Sequence, residues 1–160
     1  MIVTTQGAAV LRFLEDVRLR PERYAEFVIC SPFIDVHLSP LVIELAERAY
    51  RAQRAFRIIT RPPAAAMLLA ALPGPNERWK TTVRVHGNLH AKVYLGLRRG
   101  GPSNALVTSA NLTLPGLETN VELGVRAEST SPAGRQLVHQ VRRFLQKLAY
   151  FETSPYNPTP

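Results

Sequence analysis

Three short stretches decide how the chain is read: Leu89-His90-Ala91-Lys92-Val93-Tyr94-Leu95, Thr108-Ser109-Ala110-Asn111 and Asn120-Val121-Glu122-Leu123. Each sets two polar side chains two positions apart among apolar neighbours: His90 with Lys92, Ser109 with Asn111, Asn120 with Glu122. Alternation of this kind has the period of a strand, in which residues two apart share a face about 6.6 Å from each other. On that reading Val93, Leu95, Val107, Val121 and Leu123 pack into the core while the polar pairs meet at one sheet edge. An imidazole, an ammonium, an amide, a hydroxyl and a carboxylate then share a small volume. Such an inventory suits phosphoryl transfer, with the imidazole as nucleophile or acid, Lys and Asn on the non-bridging oxygens, and Glu orienting the imidazole.

Outward from these stretches, helices and strands alternate in the first half. Val10, Phe13, Leu14 and Val17 recur at helical spacing over Gly7 to Arg20, and Pro21 stops the helix. Phe27-Val28-Ile29-Cys30 is a buried strand closed by Ser31-Pro32. A second helix is predicted to begin after Ser39, an N-cap followed by Pro40 at the first helical position, with Leu41, Val42, Leu45, Ala46 and Ala49 inward. Phe56 to Thr60 is a strand, and Ala64 to Leu72 a short helix broken by Pro73-Gly74-Pro75-Asn76. Further strands are predicted over Thr82–Val85, Leu89–Leu97, Ala105–Ser109 and Val121–Arg126. Ser131 to Tyr150 carries the longest helix, with Leu137, Val138, Val141, Phe144, Leu145 and Leu148 on one face. The pattern predicts an α/β fold: a mixed β-sheet flanked by helices on both faces, in one domain over residues 1–152. Residues 153–160, with three prolines, are expected to be a loose tail.

At the three polar stretches the sequence resembles the phospholipase D superfamily, in its small, single-motif nuclease branch. The family signature is His-x-Lys, then Ser or a small residue two before Asn, then Glu, and the order is kept here. Val28-Ile29-Cys30-Ser31-Pro32-Phe33-Ile34 is also similar to the family's first strand and its turn, so the resemblance spans about Tyr24 to Arg126. It implies a phospholipase D-like fold and a metal-independent phosphodiesterase. His90 would attack phosphorus to give a covalent phosphohistidine, Lys92 and Asn111 would hold the equatorial oxygens with Ser109 in support, and Glu122 would fix the imidazole tautomer. The full signature has Asp five residues after the Lys; Leu97 stands there instead, a departure from the lipid-cleaving branch.

Composition narrows the substrate. The 160 residues hold 20 Lys+Arg against 12 Asp+Glu, a formal charge of +8, and only Lys80, Lys92 and Lys147 are lysines. Arginine forks suit phosphate, so the bias fits a polyanion partner without deciding it. Together with the resemblance it leads to a nucleic-acid partner, DNA in preference to RNA, as the expectation. Arg57, Arg61, Arg98 and Arg99, at predicted strand ends or loops, are the candidate backbone contacts. No apolar run approaches the ~18 residues of a membrane span. The N-terminus lacks a basic segment followed by an apolar one, and the single Cys30 allows no intrachain disulfide, so a cytoplasmic location is expected.

No cofactor or metal is expected. Gly87-Asn88 breaks any helix joining His86 to His90, and on a strand their span would be roughly 13 Å, too far for one ion. His37 and His139 read as rim residues, Cys30 as a buried small hydrophobe, and Trp79 as a packing residue. Ser109 lacks a Gly-x-Ser-x-Gly turn, and no glycine loop cradles a nucleotide. The leading expectation is therefore a DNA endonuclease. A lipid-headgroup phosphodiesterase and a non-catalytic nucleic-acid-binding module of the same fold are its rivals. Because one His-x-Lys motif supplies one imidazole, the active unit is expected to be a homodimer sharing one site, flanked by Leu112, Leu114 and Leu117.

Overall fold

Strands buried on both faces read as near-continuous apolar runs, and two of these run side by side through the sheet. The computed structural model, which describes residues 1–5, 8–71 and 82–155, pairs β2 (Tyr24–Cys30) with β3 (Ala55–Thr60) in parallel, Ile29 opposite Ile58. Crossover α2 (Ser39–Arg51) joins them, and α3 (Pro62–Ala70) leads from β3 toward β4 (Val83–Val85), also parallel. On the other side of β2 the pairing turns antiparallel through β5 (Val93–Arg98), β6 (Asn104–Thr108) and β7 (Gly124–Glu128). An N-terminal strand β1 (Ile2–Thr5), absent from the sequence expectation, closes that edge against β7. At the far edge β8 (Ser154–Pro155), within the segment expected to be loose, pairs with Arg84 and Val85. The order is β1-β7-β6-β5-β2-β3-β4-β8.

Two cores result, one on each face. Phe27, Ile29, Ile58, Tyr94 and Leu106 meet Val10 and Leu14 of α1 (Ala8–Leu19), Val42 and Leu45 of α2, and Leu68 of α3. Val28, Cys30, Ile59, Val93 and Leu95 face the opposite way, against Val138, Val141 and Leu145 of α4 (Pro132–Lys147). The fold is thus the expected α/β sheet with helices on both faces. Ser131 caps α4, its side chain accepting from the Gly134 amide. Ser39 does not cap α2. A 3-10 turn over Val36–Leu38, capped by Asp35, runs straight into the helix, so Ser39 is already helical and Leu38 is the N-cap. No helix among the described residues is long and apolar enough to cross a membrane. Trp79 lies outside the described residues, as do residues 156–160 of the tail.

The strands carrying the three polar pairs are shorter or shifted. β5 begins at Val93, not Leu89, because both neighbours stop: β2 ends at Cys30 before Ser31-Pro32, and β6 ends at Thr108. β7 begins at Gly124, not Val121, and runs on to Glu128 because β1 extends its pairing there. Val121 is therefore fully exposed, Leu123 is 68% exposed and Val107 40% exposed, against their expected burial; Val93 and Leu95 are buried as expected.

Candidate active site

Antiparallel pairing puts the start of one strand beside the end of the next. The segments before β5 and β7 and after β2, β3 and β6 consequently emerge at one edge of the sheet. All three polar pairs lie in these segments, just beyond the strand ends rather than within strands. His90 and Ser109 are exposed, while Lys92, Asn111 and Glu122 are partly buried.

Backbone bonds tie the segments to one another. The Thr108 amide donates to the Lys92 carbonyl at 3.1 Å, and the Ser109 amide donates to the Leu123 carbonyl at 2.9 Å. The Asp35 amide donates to the Leu112 carbonyl at 2.9 Å, and the Leu112 amide donates to Ser31 Oγ at 3.0 Å. Asn111 is thereby clamped to the turn that follows β2. Its Oδ1 is buried without a hydrogen-bond partner among the described residues, an arrangement that is costly unless a donor reaches it.

The side chains form two groups. Ser109 Oγ donates to the Glu122 carboxylate and accepts from the Leu123 amide at 3.1 Å. Asn120 Nδ2 donates to Glu122 Oε1 at 3.3 Å, so Glu122 is held by Ser109 and Asn120, with no bond to His90. In the second group Lys92 Nζ donates to the His90 carbonyl at 3.3 Å. Beside it lies a cleft of about 460 Å³, lined by His90, Lys92, Val93, Val107, Val141 and Phe144. Phe144, expected in the core face of the last helix, is 45% exposed at this cleft.

The four arginines separate. Arg61 lies at the site edge, its Nε donating to the Leu89 carbonyl at 2.8 Å. Arg57 pairs with Glu26 at 3.1 Å in mid-sheet. Arg98 and Arg99 sit at the opposite edge, Arg98 bonded to Asp16 and Tyr24 and the Arg99 amide to the Arg23 carbonyl. Leu112 and Leu117, expected at the rim of an interface, are buried in the core under α1 and α2; Val107, Val121, Leu123 and Phe144 are exposed apolar residues in and around the site segments. Cys30 is wholly buried, and burial pushes its thiol up to about 12, which makes it inert. His86 caps its own turn, Nδ1 accepting from the Asn88 amide at 3.2 Å, while His37 and His139 are exposed. Among the described residues no three His, Cys, Asp or Glu cluster as a metal site.

One residue escaped the sequence reading. Phe33, 48% exposed, stands on the turn after β2, with the Arg61 guanidinium 5.1 Å from its ring centroid. Its position directly after a strand-closing Pro32 was the available signal.

No protein-family model matches the chain, and no curated protein matches it in sequence. Solved structures do match. Nuc from Salmonella typhimurium, a phospholipase D family member, superposes with a TM-score of 0.59 at 12% identity, over 99% of this chain and 97% of that one. NucT from Helicobacter pylori gives 0.54 at 11% identity, over 98% and 99%. Polyphosphate kinase from Porphyromonas gingivalis gives 0.59 at 16% identity, over 99% of this chain but 27% of that one. At these identities the likeness speaks for the fold, and it does so over whole chains in the first two cases. The chain has the phospholipase D-like fold.

Proposed function

We propose that the chain is a metal-independent phosphodiesterase that cleaves nucleic acid, DNA in preference to RNA, through a covalent phosphohistidine on His90. One observation carries the reading: the segments bearing His90-x-Lys92, Ser109-x-Asn111 and Glu122 leave adjacent strands at the same sheet edge, in a phospholipase D-like fold.

In the first step an unprotonated ring nitrogen of His90 bonds to phosphorus, and the bond from phosphorus to the leaving oxygen breaks. A protonated imidazole gives that oxygen its proton. In the second step water attacks the phosphohistidine, the same second imidazole takes the water's proton, and the nitrogen–phosphorus bond breaks to free His90. Lys92 and the amide of Asn111 stabilise charge on the equatorial oxygens. Glu122, already steadied by Ser109 and Asn120, accepts from the other ring nitrogen once the exposed His90 side chain turns toward it.

The second imidazole has to come from elsewhere, since the chain has one His-x-Lys. A homodimer sharing one site supplies it from the partner's copy of His90, and the exposed Val107, Val121, Leu123 and Phe144 are the apolar surface such an interface would cover. DNA over lipid follows from the charge of +8 and from Leu97 in place of the signature's Asp.

The test is incubation with supercoiled plasmid, a single-stranded oligonucleotide and lipid vesicles, each in EDTA. Cleavage of nucleic acid that survives chelation and vanishes in His90→Ala supports the reading. Lipid hydrolysis alone, salt-sensitive binding without turnover, or restoration by a divalent ion after EDTA rejects it.

A further inference from the structure

Phe33 is an anomaly of burial. Its neighbours Ser31, Pro32 and Ile34 are all buried, yet the ring between them is half in solvent. The segment is also rigidly mounted. Ser31 Oγ donates to the Phe33 carbonyl at 2.8 Å, Thr60 Oγ1 donates to the Ser31 carbonyl at 2.7 Å, and Ile34 bridges to Leu112. The part of the ring left in solvent adds nothing to the buried core.

The ring's surroundings connect it to the site. Arg61 lies over it at 5.1 Å, within cation–π range, and that guanidinium is tethered through Nε to Leu89, the residue before His90. On the other side the mount is bonded to Leu112, the residue after Asn111. The platform thus stands between the backbones that carry the proposed nucleophile, His90, and the proposed phosphate ligand Asn111. No carboxylate pairs with Arg61 among the described residues.

We propose that Phe33 and Arg61 form a stacking site for one unpaired nucleobase of the strand being cut. The inference rests on the nuclease reading above and adds a substrate class to it. A ring with one face on a guanidinium and one side open offers a π-surface that any base can cover, with the cation beside it for the phosphate. A base inside a duplex is stacked on both faces, so only single-stranded, frayed or flipped nucleotides can use the platform. Single-stranded substrate should therefore be preferred over intact duplex.

The test uses the full chain and a single-stranded oligonucleotide containing 2-aminopurine, whose fluorescence stacking quenches, bound by His90→Ala so that no cleavage intervenes. The expected result is quenching on binding, its loss in His90→Ala/Phe33→Ala, and its return in His90→Ala/Phe33→Trp. Relative to His90→Ala, the His90→Ala/Phe33→Ala protein should bind single strands about tenfold more weakly while duplex affinity stays put. Binding without quenching, quenching that survives Phe33→Ala, or an equal loss for duplex would overturn the stacking site while leaving the nuclease reading intact. So would a change of sedimenting mass in Phe33→Ala, which would make the ring an interface contact. The nuclease reading itself fails if wild-type protein cuts no nucleic acid in EDTA.

Discussion

Gly116 sits directly beneath Asn111, and this close approach makes it a sensitive test of how the site is positioned. A methyl group at Gly116 would lie 2.7 Å from the Asn111 carbonyl oxygen, 3.2 Å from its amide nitrogen and 3.1 Å from Thr113 Oγ1. Ordinary contacts of a Cβ begin near 3.4 Å, so the Asn111 backbone has to retreat by about 0.7 Å. The colliding atoms are main chain, which cannot swing aside as a flexible side chain could. Overpacking of this kind costs about 1–3 kcal/mol, which for a chain of this size lowers Tm by about 2–12 °C. The retreat also displaces the Asn111 amide from the position proposed for it beside an equatorial oxygen. Misplacement on the ångström scale costs up to about 100-fold in rate, so Gly116→Ala should lose about 10- to 100-fold in kcat with KM nearly unchanged. Thermal melting and plasmid nicking well below the melting range separate the two effects. Gly100→Ala, at the opposite edge with nothing within 4 Å, is the control and should change neither. A Gly116→Ala protein that is folded and cleaves at the wild-type rate would refute the claim that Asn111 acts from this position.

Other substitutions probe the remaining supports. Gly96→Ala sets a methyl 2.6 Å from the buried Tyr24 ring and 2.7 Å from Asn104 Oδ1, and should destabilise by about 1–3 kcal/mol in urea unfolding without touching the chemistry. Burial pushes the Asp16 carboxyl up, but the Tyr24 hydroxyl and the Arg98 and Arg20 charges outweigh it and hold it below its ordinary 3.8. A lowered folded-state value means stability fully present above 3.8 and lost as pH falls from there through the lowered value, so Asp16→Asn should flatten this acid limb of the stability curve. Val121→Asp with Leu123→Asp, on side chains exposed in the single chain, should leave the chain folded, halve the sedimenting mass and abolish cleavage; an active monomer would exclude the shared site.

How far the sequence can be read depends on where each signal comes from. β2, β3 and α4 are legible because apolar runs or a single apolar helix face, punctuated by Pro32, Pro62-Pro63 and Ser131-Pro132, are local signals. β1 is not: four residues whose partner is β7, more than a hundred positions away, carry no pattern of their own. The polar pairs were found for a reason only half right. Their spacing suggested strands, but the neighbouring ladders end at Cys30 and Thr108, so the pairs emerge as loops at the same edge. Leu112 and Leu117 looked like interface residues because nothing local reports that Ser31 pulls Leu112 under the helices. Arg98 looked like a phosphate ligand because its partners, Asp16 and Tyr24, are distant in sequence. In each case a tertiary contact overrode a local reading.

The central claim is that phosphorus is bonded to His90 during turnover. Wild-type protein mixed with an oligonucleotide carrying radiophosphate at its internucleotide positions, then quenched in alkali, tests this directly. Label is expected to stay on the protein in an alkali-stable, acid-labile adduct that maps to the peptide containing His90 and is absent from His90→Ala. Cleavage with no labelled protein, or label stable to acid on another residue such as Ser109, would contradict it.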